Sequence, residues 1–93
     1  MTIRFFAYYR DPDYAGCREL DWPAAGTLRQ LGEELCDRFG AKFREEFFTP
    51  DGSALGKKVI VMINGRRAEF LQGLDTPLCG TDLVQIFPIV AGG

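Results

Sequence analysis

Histidine is absent from the 93-residue sequence. This absence removes the commonest metal ligand and the commonest general base together. The three cysteines, Cys17, Cys36 and Cys79, are widely spaced and form no C-x-x-C pair of the kind that binds zinc or carries out redox exchange. We therefore predict that the chain has no metal site, and we interpret each cysteine as a small, free hydrophobic residue.

The sequence also lacks a strong charge of either sign and a long apolar run. Its 11 basic and 13 acidic residues give a net charge of −2, which argues against binding to nucleic acid through phosphate contacts. No apolar stretch is long enough to span a bilayer, and the first residues lack the layout of a signal peptide. We therefore expect a cytoplasmic protein with neither nucleic acid nor membrane as a partner.

Motifs for autonomous catalysis are missing as well. Without histidine, neither a Ser-His nor a Cys-His pair can form, and the glycines do not follow the spacing of a phosphate-binding loop. Neighbouring carboxylates rarely converge on one substrate, so we interpret all three acidic pairs as solvated. These pairs are Asp11 with Asp13, Glu33 with Glu34, and Glu45 with Glu46.

The first half of the chain predicts a hairpin followed by a helix. A β-branched and aromatic run predicts a strand over Thr2–Arg10, and an alternating segment predicts a second strand over Arg18–Trp22. Thr27 and Gln30 have the spacing of a capping box for a helix with one leucine stripe. Gly40 is the expected residue just beyond the end of that helix.

The second half predicts more strands. Phe43, Phe47 and Phe48 are consistent with a short second helix, and Asn64-Gly65 lies where a primed turn would join two strands. A last strand over Leu83–Phe87 is rich enough in apolar residues to be central, and we expect Pro88 to stop it.

This order predicts an α+β fold in which a mixed sheet of about five strands carries one main helix across one face. A β-grasp roll, with the last strand inserted beside the first, fits the order, although other α+β layouts share it. We predict a single domain over residues 1–93, with a flexible C-terminal tail at residues 89–93.

The sequence ends in Gly92-Gly93, directly after the apolar pair Ile89 and Val90. Apolar residues beyond the end of a strand have little core to enter, so they favour a contact surface for another protein. Two residues without Cβ can pass through a narrow channel in many backbone conformations. This ending indicates a substrate or carrier whose C-terminal carboxyl group, on Gly93, is the reacting group.

Several segments resemble the sulfur-carrier family formed by the small subunits of molybdopterin synthase, which are ubiquitin-like β-grasp proteins. The matching segments are RFFAYYRD, TLRQLGEEL, VMINGRR, GLDTPLCGTDLVQIFP and the terminal VAGG. The resemblance covers nearly the whole chain apart from about residues 41–57. At Ile89 this sequence departs from many relatives, which commonly have a second proline at that position.

The resemblance implies a mechanism and a set of partners. An E1-like adenylating enzyme, similar to MoeB or ThiF, would activate the C-terminal carboxylate with ATP, and a sulfur donor would convert it to a thiocarboxylate. The carrier would hold no permanent cofactor and would deliver sulfur with a large, MoaE-like synthase subunit.

The resemblance also implies roles for particular residues. Gly93 would carry the thiocarboxylate, while Ala91 and Gly92 would form the threaded tail. The partner-binding residues would be Phe87, Pro88, Ile89 and Val90, together with Arg10 and Arg67.

Three other functions remain open from the sequence. The chain is also consistent with a sulfur carrier for thiazole, cysteine or tRNA thiolation, with a ubiquitin-like protein modifier, and with a plain interaction module.

The tail interpretation makes one prediction about stability. Gly93→Ala should leave the free energy of unfolding within about 0.5 kcal/mol of the wild type, because a tail residue outside the core contributes little to it. Thermal and urea unfolding measure this difference, and a large drop in melting temperature would show that the tail is packed structure.

Overall fold

The computed structural model describes residues 1–23 and 26–89, and its centre is a mixed five-stranded sheet. The strands run in the order β2-β1-β5-β3-β4 across the sheet. Their bounds are β1 Thr2–Phe5, β2 Glu19–Asp21, β3 Val59–Ile63, β4 Arg66–Arg67 and β5 Leu83–Pro88. β5 is parallel to β1 and antiparallel to β3, so the last strand is central, as predicted.

Two helices pack on one face of this sheet. They are α1, Leu28–Phe39, and α2, Ala41–Phe47. Thr27 and Gln30 form the predicted capping box, and Gly40 follows α1 with a φ of 101°. Buried side chains of α1 and α2 form one cluster with those of the inward-facing strand residues. The predicted α+β arrangement and the short second helix are thereby confirmed.

The turn between β3 and β4 also follows the prediction. Asn64 and Gly65 have φ values of 52° and 83°, the positive values that a primed two-residue turn requires. The return strand β4 is shorter than expected, because Ala68–Phe70 already forms a 3₁₀ turn.

The prediction that Pro88 stops the last strand was wrong. Pro88 belongs to β5 and pairs with Val59. The backbone N–H of Ile89 donates to the carbonyl oxygen of Lys58 at 2.7 Å, on the β3 side. Successive N–H groups point to opposite sides of a strand, so the position of Pro88 would direct a donor towards β1. β1 has already ended at Phe5, and the missing donor therefore breaks no ladder bond.

The first strand is shorter than predicted. It ends at Phe5, and Ala7–Arg10 forms a 3₁₀ turn, which we call the tyrosine turn. Ala7 has a φ of 52°, which leaves the extended region and redirects the chain. The turn buries Tyr9, which is 1% exposed, and brings its hydroxyl group to α2.

Glu46 on α2 is half-buried, and the prediction that it is solvated was wrong. Its Oε1 atom accepts hydrogen bonds from Tyr8 at 2.5 Å and Tyr9 at 2.9 Å, and its Oε2 atom accepts one from Tyr14 at 2.8 Å. These are the only three tyrosines of the sequence. We call these four residues the tyrosine cage.

The prediction for the cysteines also holds only in part, because Cys36 is buried whereas Cys79 is exposed.

No helix in the described ranges, 1–23 and 26–89, is long and apolar enough to cross a membrane.

Gly32 on the buried side of α1 provides a test of the helix packing. A Cβ atom there would lie 2.3 Å from Cε1 of Phe47 and 2.8 Å from Cζ of Phe48. Helix propensity alone predicts that Gly32→Ala gains about 1 kcal/mol. The overlap with two buried rings should outweigh this gain, and we expect a net loss of about 1–2 kcal/mol in urea unfolding. Gly80→Ala, whose Cβ would meet no atom within 4 Å apart from its chain neighbours, is the control for an added methyl group without overlap.

The tyrosine cage makes a pH-dependent prediction. Burial and the carboxylate of Glu46 raise the pKa of Tyr8 to about 12, burial raises that of Tyr9 further, and the Glu46 hydrogen bond raises that of Tyr14. Because the folded pKa values exceed the unfolded value of about 10, the contribution of the cage to stability should be fully present below pH 10 and should be lost as pH rises through the folded pKa values.

Tyrosinate absorbance measures this titration directly, since every tyrosine of the chain belongs to the cage. Glu46→Ala should lower the titration midpoint towards the ordinary value, and Glu45→Ala should change it much less. An unchanged midpoint in Glu46→Ala would contradict the cage.

Candidate functional site

The side chains of β5 alternate between the two faces of the sheet. Val84, Ile86 and Pro88 are buried under the helices, whereas Leu83 and Phe87 are half-buried on the opposite face. This alternation follows from the two-residue period of a strand. The candidate site is therefore built on the central strand, at the face that α1 and α2 leave uncovered.

We call this face the open face. Direct partners in a ladder share a face, so the pairing of Ile60 with Phe87 and of Met62 with Gln85 places both β3 side chains beside β5. All are half-buried. The apolar members of the open face are Phe6, Ile60, Met62, Leu83 and Phe87.

Phe6 and Phe87 form the centre of the open face. Their rings are stacked, with centroids 4.2 Å apart and planes 12° from parallel. The guanidinium group of Arg10 lies 5.5 Å from the centroid of Phe6, within the range of a cation–π contact. Its Nε atom donates to the carbonyl oxygen of Phe5 at 3.0 Å, which fixes the side chain. Arg10, Phe6 and Phe87 therefore form a continuous stack.

Arg67 pairs with Met62 and therefore starts from the β4 edge of the open face, and it lies with Ile89 rather than with the aromatic stack. Both line a cavity of about 560 Å³ beside the edge of β3. Arg67 forms an ion pair with Glu69, and its guanidinium group lies 5.6 Å from the ring centroid of Phe70. Its Nε atom is buried and has no hydrogen-bond partner among residues 1–23 and 26–89.

The charges around this cavity are mixed. Arg29, Lys57 and Arg67 line it together with Glu69 and Asp75. Basic and acidic side chains therefore both line the part of the cavity that the structure describes. The side chain of Ile89 is 47% exposed at the cavity, although its backbone is bonded to Lys58.

The start of β5 is held by Asp82. Its carboxylate accepts hydrogen bonds from the backbone N–H of Cys79 and from the side-chain amide of Asn64, both at 2.8 Å. These donors lower the pKa of Asp82, with the Cys79 bond contributing most. The bonds tie the loop before β5 to the turn between β3 and β4, which fixes where β5 enters the sheet.

The structure thus divides the predicted partner-binding residues into two groups. Phe87 lies with Arg10 through Phe6, whereas Ile89 lies with Arg67 at the cavity, and Pro88 is buried. The predicted roles of Val90, Ala91, Gly92 and Gly93 lie outside the described residues.

Sequence reasoning missed Phe6 and Phe70. Phe6 falls within the longer first strand that the sequence predicts. Because Phe6 directly follows the buried Phe5 and successive strand residues alternate between faces, its side chain is expected on the face opposite to the core. Phe70 is 77% exposed, an unusual value for a large aromatic side chain. No local pattern in the sequence distinguishes it from a core phenylalanine.

No group of three or more metal-ligating side chains occurs in the part of the chain that the structure describes. What the arrangement does provide is an apolar, aromatic face beside the end of the central strand. Aromatic and arginine side chains of this kind are enriched at the energetic centres of protein interfaces. The geometry is suited to holding a partner at this face.

Comparison with known proteins places this geometry in a family. The model of the ThiS family matches residues 3–93. No curated protein matches the sequence. Similar solved structures include the small archaeal modifier protein 1 from Methanosarcina acetivorans, at 28% identity and a TM-score of 0.79, with 99% of this chain and 94% of that chain covered.

Two further structures are similar over most of their length. The HVO 2177 protein of Haloferax volcanii is 30% identical, with a TM-score of 0.76 and coverage of 99% of this chain and 84% of that chain. A putative molybdopterin converting factor, subunit 1, from Pyrococcus furiosus is 29% identical, with a TM-score of 0.66 and coverage of 96% and 95%. The predicted β-grasp fold is confirmed, and the chain belongs to the ThiS family of ubiquitin-like sulfur carriers and modifiers.

Proposed function

We propose that this chain is a sulfur carrier for the synthesis of molybdopterin, the pterin of molybdenum and tungsten cofactors, with the C-terminal carboxylate of Gly93 as its reactive group. The observation that carries the proposal is the position of β5. This central strand ends at Pro88, beside the aromatic open face, and the sequence continues from there to Gly92-Gly93.

The similarity to the putative molybdopterin converting factor of Pyrococcus furiosus supports this choice of pathway. That protein shares 29% of its residues with this chain over nearly its whole length. Family membership supports the coarser activity, sulfur carriage, and the pathway is the finer part of the proposal.

The proposed chemistry takes place in two steps. An oxygen of the Gly93 carboxylate attacks the α-phosphorus of ATP, which forms an acyl-adenylate and releases pyrophosphate. A nucleophilic sulfur atom at the oxidation level of sulfide then attacks the acyl carbon, and AMP leaves. The product is a thiocarboxylate, whose sulfur atom passes to the pterin precursor on the large synthase subunit.

The chain itself contributes binding and presentation to these steps. ATP is a substrate of the E1-like adenylating enzyme, and this chain holds no cofactor of its own. Ala91 and Gly92 lead Gly93 into the partner's active site, and residues without large side chains suit such a channel. The same open face docks first on the adenylating enzyme and then on the large subunit.

The Arg10, Phe6 and Phe87 stack is the proposed anchor of that docking. The two rings are pre-organised by their contact, so few rotamers remain to be restricted when a partner binds. Ile89 and Arg67 extend the interface to the cavity at the edge of β3. Val90 continues the apolar contact along the tail.

A second function is favoured by a specific comparison. The small archaeal modifier protein 1 of Methanosarcina acetivorans is 28% identical and has a higher TM-score, 0.79, than the converting factor. A modifier would use the same adenylate but transfer the acyl group of Gly93 to a lysine amine. An isopeptide-linked remnant of this chain on lysines of other proteins would identify this activity, and a thiocarboxylate alone would not. Trypsin would leave residues 68–93 as that remnant, because Arg67 is its last cleavage site in the sequence.

Intact-mass measurement after co-expression with the cognate adenylating enzyme tests the carrier function. We expect the wild type to show a mass increase that corresponds to replacement of one oxygen by sulfur. Deletion of Gly92 and Gly93 should abolish this change while the melting temperature stays the same. Absence of the exchange in the wild type under every sulfur-donor condition would contradict the proposal.

Docking on the open face is tested in the same assay. Phe87→Ala should slow thiocarboxylate formation about tenfold or more, since truncated hot-spot aromatics commonly weaken binding by 2 kcal/mol or more. Glu45→Ala, an exposed residue of α2 outside the open face, is the control for nonspecific effects. Equal rates for the two variants would show that Phe87 does not bind the partner.

A further inference from the structure

The tyrosine cage joins two parts of the chain that are distant in sequence. Tyr8, Tyr9 and Tyr14 are 32 to 38 residues from Glu46, and all three hydroxyl groups donate to its carboxylate. The three aromatic rings also contact one another, with centroid distances between 5.0 and 5.5 Å. One carboxylate on α2 therefore binds three side chains of the segment that follows β1.

The same tyrosine turn carries Arg10 towards the open face. Tyr8 and Tyr9 extend to α2, while the Nε atom of Arg10 is bonded to the carbonyl oxygen of Phe5. The Arg10 guanidinium group covers Phe6, whose ring is stacked on Phe87. The turn is thus the direct connection between the cage and the anchor of the open face.

The backbone of this connection is strained at one residue. Ala7 lies between Phe6 and Tyr8 and has a φ of 52°, a left-handed conformation that is unfavourable for a residue with a Cβ atom. Such a conformation persists only where the surrounding contacts determine it. On the side of Ala7 away from β1, those contacts include the three hydrogen bonds to Glu46.

We propose that Glu46 is a positioning residue, which holds the tyrosine turn so that Arg10 and Phe6 are stacked on Phe87 ready for a partner. Helix α2 lies in the segment of residues 41–57, outside the motifs on which the sequence resemblance rests. The proposal rests on the proposed docking role of the open face. It assigns to α2 the task of setting the geometry of a surface that α2 does not itself form.

Steady-state kinetics with the cognate adenylating enzyme test this proposal. The rate of pyrophosphate exchange is measured against the concentration of the carrier. Glu46→Ala should raise the KM for the carrier about tenfold and leave kcat within about twofold, the pattern of lost binding rather than lost chemistry. Glu46→Gln keeps an oxygen that accepts from Tyr8 and Tyr9, and it should restore most of the affinity. Glu45→Ala, its exposed neighbour, should behave as the wild type.

A second readout uses the free carrier. Nuclear Overhauser contacts between the rings of Phe6 and Phe87 should weaken in Glu46→Ala, whereas those between Phe5 and Phe39 in the core should persist. If Glu46→Ala does not fold, Tyr14→Phe removes a single hydrogen bond and should raise KM about threefold.

Folded variants that keep both the wild-type KM and the Phe6–Phe87 contacts would overturn the proposal and leave Glu46 with a purely structural role. A wild-type KM in Phe87→Ala would instead contradict the docking role of the open face. In that case the ring contacts in Glu46→Ala still decide whether Glu46 positions them.

Discussion

The parallel hydrogen bonds between β1 and β5 hold the two ends of the described chain together, and the other elements are arranged around them. The register aligns Thr2–Phe5 with Leu83–Ile86, which places β5 between β1 and β3. A central strand with one face under the helices must be apolar on that side. Its other face, which carries Phe87, then becomes the open face, and its end fixes the point from which the chain continues towards Gly93.

Elements determined by local signals could be predicted from the sequence. The capping box of Thr27 and Gln30, the turn at Asn64-Gly65 and the apolar density of β5 each specify their structure within a few residues. The end of β1 could not be predicted in the same way. Aromatic residues favour strands, and the contacts that hold Tyr8 and Tyr9 in a turn instead include those with Glu46, more than 30 residues away.

The candidate site was predictable in its chain positions but not in its grouping. The resemblance pointed to Phe87, Ile89, Arg10 and Arg67, yet the division into an aromatic stack and a separate cavity depends on strand register and on how each arginine turns. Glu46 gave no signal, because an acidic pair on a short helix is usually solvated. Three phenol groups from a distant segment make it an exception, and single-sequence periodicity does not contain that information.

The β1–β5 pairing also has a kinetic consequence. Residues about 80 positions apart form the middle of the sheet, and contacts of such long sequence separation make folding slow. A nascent chain that lacks β5 has β1 and β3 without the strand that joins them. Phe87 can stack on Phe6 only after that strand is inserted, so the surface that a partner would recognise is absent from every nascent chain that lacks β5. A partner that recognises this surface would therefore bind only chains in which β5 has been inserted between β1 and β3.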